Sequence, residues 1–397
     1  VKHGETAAAT RLRLSVAGIL DSFGRREEAL ERHREVLDAE PRNQAARAGV
    51  EKYLGDPDLR LRAAEVLEPH YQTSSELDKQ IQLAELWAEH APDPRERIAR
   101  LSQIAQLKER SGDGEAAFEA LARAARIGAG EPELPALLDG IERLASATAR
   151  PKLVALYREL GPDILDAAVQ ERVYLAVAAE SHKLGDRETA REYYRRVLDM
   201  SPDHPKALDA LEGIYVEGRE WDPLYEVYVR RAELSLGDDD RRRHYLMQLA
   251  QLCEGNLDRP MEAIRAYEQV LEMFPHDADA GRALEQRYVA AHRHAELAEL
   301  LEKRLGYCED VDEAVALRFR LATLYDEDLA DADRAVENYR AALGGDPTHA
   351  GAIRALEKYL DDDGQRVAAA EGLEPTYVAR HDWPSLVRIY QIRLEAA

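Results

Sequence analysis

A pair of alanines recurs along this chain at nearly constant spacing. The pairs are Ala17 and Ala29, Ala105 and Ala117, Ala178 and Ala190, Ala250 and Ala263, and Ala322 and Ala335. The second alanine of each pair lies 88, 73, 73 and 72 residues after the one before it, and the first precedes it by 12 or 13 residues. Small residues at fixed spacing let two helices approach closely, and a constant period of this kind is typical of repeat folds. The chain is therefore predicted to be built from repeated helical hairpins.

Each alanine pair is followed by a bulky residue and, in four copies, by a proline that ends the second helix. These positions hold His33, Leu121, Tyr194, Tyr267 and Tyr339, and then Pro41, Pro202, Pro275 and Pro347. The block resembles the tetratricopeptide repeat, a helical hairpin of about 34 residues. It is similar to long repeat proteins of bacterial type. The resemblance implies hairpins at 10–43, 98–131, 171–204, 243–277 and 315–349.

Further helical segments separate the hairpins. They occupy residues 44–97, 132–170, 205–242, 278–314 and 350–397. The second helix of such a segment resembles the half-a-tetratricopeptide motif, as in Trp221, Leu224 and Tyr228. The repeating unit is thus a block of four helices and roughly 70 residues. We therefore expect an all-α fold, one continuous right-handed α-solenoid over 1–397, with about 22 helices and no β-sheet.

A second and longer period spans the blocks. Pro41 and Pro347 are 306 residues apart, as are Tyr71 and Tyr377, and the offset is expected to hold without a gap over roughly 11–91. Two additional helices, at 60–71 and 365–377, belong to this longer period. The chain then contains one super-repeat and the beginning of the next, with Ala397 in the place of Ala91. We expect it to be a segment of a longer repeat protein.

Charge restricts the partners. The formal net charge is −23, with 77 acidic and 54 basic residues. A phosphate backbone would be repelled by this field, so nucleic acid is not expected as a direct partner. Acidity instead favours either a protein partner with a basic surface or simple solubility of a long, exposed array. No apolar stretch reaches the ~20 residues that a membrane-spanning helix needs, so no membrane span is expected.

Residue patterns that carry catalysis or bind metals are absent. No glycine-rich phosphate loop, nucleophile elbow or HExxH motif occurs, so we predict no enzyme, no catalytic residue, no metal and no cofactor. His292 and His294 lie two residues apart and point in different directions on a helix. The run Asp238–Asp240 precedes Arg241–Arg243 and is expected to be a self-neutralised helix start. Cys253 is expected to be a buried small hydrophobic residue, and the three tryptophans are expected in the core.

The candidate binding residues come from the family resemblance. In the tetratricopeptide family the first helix of each hairpin lines a concave surface that binds peptides. Transfer of those positions to this chain gives Gln106, Arg110, Arg172, Leu175, His182, Lys183, Met247, Gln251, Phe319 and Thr323. Packing against neighbouring helices is the alternative role for each of them. The carboxylate clamp with which some members bind chaperone C-termini is absent, because its positions hold residues such as Leu175 and Met247.

Three classes of function follow from these patterns. The first is a non-enzymatic scaffold whose concave helical surface binds partner proteins or extended peptides. The second is a self-associating building block of a large assembly. The third is the regulatory arm of an enzyme whose catalytic domain lies outside this segment. The sequence favours the first and names no ligand or pathway.

Overall fold

The computed structural model describes residues 2–72, 76–145 and 149–396, with side chains described from residue 8 onward. Within this part of the chain there are 22 α-helices and no β-strand, which confirms the all-α repeat fold. The predicted segments 44–97 and 132–170 include residues 73–75 and 146–148, which lie outside the described residues, as does Ala397. The right-handed sense and the continuity of the solenoid stay predictions.

The chain divides into two compact units, Val1–Ile214 and Tyr215–Ala397. The helices of unit 1 are α1 (Lys2–Ser22), α2 (Arg26–Ala39), α3 (Gln44–Glu51), α4 (Arg60–Gln72), α5 (Leu77–His90), α6 (Pro94–Arg110), α7 (Gly114–Ile127), α8 (Leu134–Leu144), α9 (Arg150–Leu160), α10 (Ala167–Lys183) and α11 (Arg187–Met200). Helix α12 (Pro205–Gly218) contains the boundary.

Unit 2 continues with the same kind of helices. They are α13 (Trp221–Leu234), α14 (Asp239–Leu252), α15 (Pro260–Met273), α16 (Ala278–Ala290), α17 (His294–Gly306), α18 (Val311–Glu327), α19 (Ala332–Gly345), α20 (Ala350–Tyr359), α21 (Arg366–Arg380) and α22 (Trp383–Ala396). Helices α4 and α21 are the additional helices of the longer period, and each contains a proline, Pro69 or Pro375.

The paired alanines lie where the two helices of each hairpin meet. All ten are buried, with at most 3% of their surface exposed. Helices α1 and α2, α6 and α7, α10 and α11, α14 and α15, and α18 and α19 pack in pairs along these contacts. A residue without a long side chain at the contact lets the two backbones approach, so the repeated alanines hold the hairpins closed.

A capping side chain starts the helix after each terminal proline. The residue two places after the proline accepts a hydrogen bond from a backbone N–H in the first turn of α3, α12, α16 or α20. These capping residues are Asn43, His204, Asp277 and His349. The proline thus ends one helix and the cap begins the next, which fixes the period at which the chain reverses.

The hairpin turns come in two lengths. In three hairpins a glycine with positive φ makes the turn: Gly24, Gly112 and Gly185, at 75°, 84° and 83°. In the other two a residue is added, and Asp258 and Ala330 take φ 52° instead. The extra residue before Asp258 is absorbed in a π-helical turn, Cys253–Leu257. The expectation of a gapless 306-residue offset is therefore wrong for α1, since Ala17 and Ala322 are 305 residues apart.

The longer period is nevertheless visible in side-chain hydrogen bonds. The Tyr71 hydroxyl donates to Glu51, and the Tyr377 hydroxyl donates to Glu357 over 2.9 Å. Tyr377 lies 306 residues after Tyr71, and Glu357 lies 306 residues after Glu51. Helices α4 and α21 are thus held on α3 and α20 in the same way.

The last helix of each block packs on the first helix of the next hairpin. This holds for α5 and α6 and for α9 and α10 in unit 1, and for α13 and α14 and for α17 and α18 in unit 2. The expectation that all three tryptophans lie in the core is wrong for Trp383, which is 59% exposed at the start of α22. Cys253 is fully buried, as predicted.

Candidate functional site

A cleft of about 420 Å³ opens beside α10 in unit 1. We name it the unit 1 cleft. Successive turns of α10 supply its floor, because residues three and four apart share one face of a helix. It is lined by Glu142, Ala145, Arg150, Leu153, Arg172, Leu175, Ala176, Ala179, Glu180, Tyr194 and Lys206.

The charges of the unit 1 cleft are largely paired. Arg172 donates to Asp139 over 2.6 Å and to Glu142 over 2.8 Å, and the bond to Glu142 is the main reason that the Arg172 pKa is raised. Glu180 accepts hydrogen bonds from Arg150 and, over 2.8 Å, from Lys183. Burial by itself would raise the pKa of Glu180, but these two bonds outweigh it and the pKa is lowered. Glu180 therefore stays ionised at neutral pH.

One base in the unit 1 cleft remains available. Within the described residues, Lys206 makes neither a hydrogen bond nor an ion pair. An ammonium group of this kind can meet a carboxylate or a carbonyl of an incoming chain. The apolar surface of Leu153, Leu175 and Ala176 lies next to it.

The predicted binding residues have different surroundings. Of the residues named from α10, Arg172 and Leu175 line the unit 1 cleft, while His182 and Lys183 are exposed at the end of the helix. Gln106 and Arg110 are exposed on α6, and neither lines this cleft. On α14 of unit 2, Met247 is half-buried and Gln251 is exposed.

Phe319 and Thr323 of α18 contact neighbouring helices. The Phe319 ring lies 4.5 Å from the His349 ring and 5.8 Å from the Tyr339 ring, measured between centroids. A Cβ on Gly351 would lie 2.6 Å from Phe319 Cζ, so the phenyl ring is packed directly on the α20 backbone. Thr323 Oγ1 donates to the Phe319 carbonyl of its own helix over 3.0 Å and accepts from the Tyr339 hydroxyl of α19 over 3.5 Å. These contacts are the packing role that the sequence left open.

A larger cleft, of about 580 Å³, lies in unit 2 between α15, α16 and α17. We name it the unit 2 cleft. Its apolar floor includes Leu271, Leu284, Leu300 and Tyr288, and its rim carries Glu268, Glu272, Glu296, Glu299 and Lys303. None of these positions was predicted, because the family's groove positions lie on the first helix of a hairpin. Here the lining comes from a second hairpin helix and two interleaved helices.

Burial raises the pKa of the Cys253 thiol to about 11, so this sulfur remains protonated and unreactive at neutral pH. Within the described residues, no group of three or more His, Cys, Asp or Glu side chains is placed to hold a metal ion. In the same part of the chain, no helix combines the length and the apolar surface required to cross a bilayer.

Known proteins share the repeat. Residues 171–204 match the family model described as tetratricopeptide repeat. No curated protein sequence matches the chain. Residues 171–204 are therefore similar to a tetratricopeptide repeat, and the hairpins repeated along the described residues support a repeat protein of that type. Members of that class are generally non-catalytic scaffolds for protein interactions.

Solved structures that resemble this chain come from several sources. A tetratricopeptide repeat protein from Parabacteroides merdae is 17% identical, with 66% of this chain and 99% of that chain covered and a TM-score of 0.28. The MamA protein is 19% identical, covering 45% of this chain and 93% of that one, with a TM-score of 0.25. Human IFIT1, a dimer solved with m7Gppp-AAAA, is 13% identical, covering 98% and 90%, with a TM-score of 0.29.

Proposed function

We propose that this protein is a non-enzymatic scaffold whose helical surface binds extended segments of partner proteins. The observation that carries the proposal is the unit 1 cleft, where Arg172 and Leu175, two positions expected to face a peptide, meet next to the unpaired Lys206. Apolar surface with a few oriented polar groups is the usual composition of a binding site. A partner with a basic surface would suit the net charge of −23.

The proposal can be tested with peptides selected on the protein. A random peptide library displayed on phage is selected on the immobilised chain, and the affinity of the enriched peptides is measured by fluorescence anisotropy. Ala179→Arg places a long side chain in the unit 1 cleft and is expected to weaken binding about tenfold. Ala290→Arg is the matched control, because Ala290 is an exposed helical alanine that lines neither cleft. Equal affinity of both variants and the parent would contradict this site.

Catalysis offers a second test of the same proposal. The chain alone is expected to give no turnover with ester, phosphate and peptide substrates, because no serine, threonine, cysteine or histidine lines either cleft. Turnover that survives repeated purification would overturn the non-enzymatic assignment.

Exposed apolar stripes favour a second candidate function, self-association. Trp383, Val387, Tyr390 and Leu394 are exposed along α22, and Leu12, Val16, Ile19 and Phe23 follow the same spacing along α1 and its end. Helices in the place of α22, such as α13 and α17, pack on the first helix of a hairpin. The α1 helix of a second copy would offer α22 that kind of contact.

Sedimentation velocity over a range of concentrations tests the second function. Self-association is expected to shift to higher concentration in Val387→Glu and in Leu12→Glu. A monomer at every concentration, or variants that associate like the parent, would remove this candidate.

A further inference from the structure

The unit 2 cleft has an internal counterpart that is filled. Its residues Leu271, Pro275 and Leu284 lie 72 residues before Leu343, Pro347 and Leu356, the same offset that relates the alanines of these two blocks. In the later block, α21 packs against both α19 and α20. The later copy of this surface is therefore covered by a helix, whereas the earlier copy is open.

Small side chains let α21 pack closely on α19 and α20. We call this surface of α19 and α20 the seat of α21. A Cβ on Gly372 would lie 2.5 Å from Arg340 Cγ and 3.2 Å from Leu356 Cδ1, and the neighbouring Ala369 is fully buried. Thr376 Oγ1 donates to the Pro347 carbonyl over 3.1 Å. The surface thus accepts a helix with a narrow apolar face.

In the earlier block, α17 occupies a different position. It packs on α16 and α18, and its far end is held where the Tyr307 hydroxyl donates to the Pro275 carbonyl over 2.5 Å. The side chains that α17 turns toward the cleft are longer than those of α21 and include Glu299, Leu300 and Lys303. The space between α15, α16 and α17 consequently stays open.

The charge of the seat is reversed between the two copies. Arg340 of the filled seat pairs with Glu371 of α21 over 3.1 Å. The residue 72 places before Arg340 is Glu268, and Glu272 stands where the later block has Gly344. Glu296 and Glu299 add two more carboxylates to the rim.

Two of these carboxylates are available to a partner. Glu268 accepts from the Tyr288 hydroxyl over 2.6 Å, and Glu296 pairs with Arg293 over 2.7 Å. Glu272 and Glu299 are exposed and have no hydrogen-bond or ion-pair partner within the described residues. A helix that fills this cleft therefore has to bring bases where α21 carries an acid.

We propose that the unit 2 cleft binds a helix of a partner protein that has a narrow Ala/Gly-type apolar face flanked by arginine or lysine. This inference rests on the proposed scaffold function, because it names a class of partner. It concerns the unit 2 cleft, however, and not the unit 1 cleft and its residues. The apolar floor supplies affinity, and the unpaired glutamates select the basic helix.

A peptide with the sequence of α21 can serve as the probe that tests this proposal. A fluorescein-labelled peptide of residues 366–380 with Glu371→Arg and Glu374→Arg keeps the face that fits the seat and reverses its charge. We expect this peptide to bind the full chain about tenfold more tightly than the unchanged peptide, and its affinity to fall as salt is raised. Hydrogen exchange is expected to slow in α15–α17 when it binds.

Charge variants of the protein localise the binding. Glu272→Lys with Glu299→Lys is expected to weaken the charge-reversed peptide about tenfold or more. Glu226→Lys with Glu337→Lys is the matched control, because it changes the net charge equally at exposed glutamates outside the cleft and should alter the affinity less than about twofold.

The outcomes separate this inference from the scaffold proposal. Equal binding of the two peptides, or equal loss in both double variants, would overturn the unit 2 assignment. If the unit 2 assignment fails in this way but Ala179→Arg still weakens binding of the peptides selected on the chain, the scaffold function remains supported. If neither the selected peptides nor the charge-reversed peptide binds the chain, both the scaffold function and the unit 2 assignment are overturned.

Discussion

At the residue scale, Asp277 joins local structure to the larger cleft. Its Oδ1 accepts from the backbone N–H groups of Asp279 and Ala280 over 3.1 and 2.9 Å, and its Oδ2 accepts from Arg243. The side chain is thus both the cap of α16 and the partner of a base on α14. Since α16 supplies Leu284 and Tyr288 to the floor of the unit 2 cleft, this carboxylate helps to position the floor.

Asp277→Ala is expected to lower the free energy of unfolding by about 2 kcal/mol, because it removes a helix cap and leaves Arg243 unpaired. Asp277→Asn keeps a capping oxygen and should lose about half of that. Urea unfolding at pH 7 measures both. An asparagine variant as unstable as the alanine variant would mean that the cap contributes nothing.

The pH dependence of the same position has a definite sign. Burial would raise the pKa of Asp277, but the hydrogen bonds from Arg243 and from the two backbone N–H groups lower it. Because the pKa of Asp277 is lower in the folded state, its ionised form stabilises the protein at any pH above the pKa of the unfolded state, about 3.9. This stabilisation is lost as the pH falls through the lower pKa of the folded state. The difference in unfolding free energy between the parent protein and the Asp277→Asn variant should therefore be constant near neutrality and shrink below about pH 4.

The tyrosines of the longer period allow a matched comparison. Tyr71 and Tyr377 are both buried, and each donates its hydroxyl to a glutamate on the preceding helix. Tyr71→Phe and Tyr377→Phe should each lower the free energy of unfolding by about 1 kcal/mol, because each removes a hydrogen bond between a buried hydroxyl and a carboxylate. Differential scanning calorimetry checks this, and a large difference between the two variants would contradict the equivalence of the sites.

At the element scale, the close approach of α21 depends on one glycine. Gly372→Ala should destabilise the protein by about 1–2 kcal/mol, because the new Cβ meets Arg340 and Leu356 and pushes α21 from its seat. Gly213→Ala is the control: nothing lies within 4 Å of its added Cβ, so it should stabilise α12 by about 0.5–1 kcal/mol. Urea unfolding compares them, and two changes of the same sign would contradict the packing account.

Helix positions could largely be predicted from the sequence, whereas the clefts could not. Prolines, capping side chains and turn glycines act within a few residues, so the sequence carries them directly. Phe319 and Leu175 occupy comparable faces of two hairpins, yet Phe319 packs on Gly351 and Leu175 borders a cleft. That difference depends on how closely the next helices approach, which involves side chains tens of residues away.

At the scale of the whole molecule, each repeat is stabilised by its neighbours. Helices α1 and α22 each have an exposed apolar stripe, whereas α10 and α18 have packed helices before and after them. Stability in such an array is not uniform. The opening of α1 and α22 should therefore require less free energy than the opening of α10 or α18.

Native-state hydrogen exchange followed by mass spectrometry tests this expectation. At low protein concentration, amides of α1 and α22 should exchange at least tenfold faster than those of α10 and α18. If the exposed stripes mediate self-association, raising the protein concentration should slow exchange in α1 and α22 alone. Uniform exchange along the chain would contradict the picture of nearest-neighbour stabilisation.

The sequence by itself determined the repeat, the hairpins and the absence of the family's carboxylate clamp, because each depends on residue type at short and regular spacing. Only the tertiary structure decided where space remains between helices. Gly372 allows α21 to pack closely on Leu356, while α17 leaves a cleft of about 580 Å³ beside Leu284 and the unpaired carboxylates. The physical reason is that packing depends on the combined shapes of side chains from several helices. The spacing of residues along one helix does not determine how those shapes fit together.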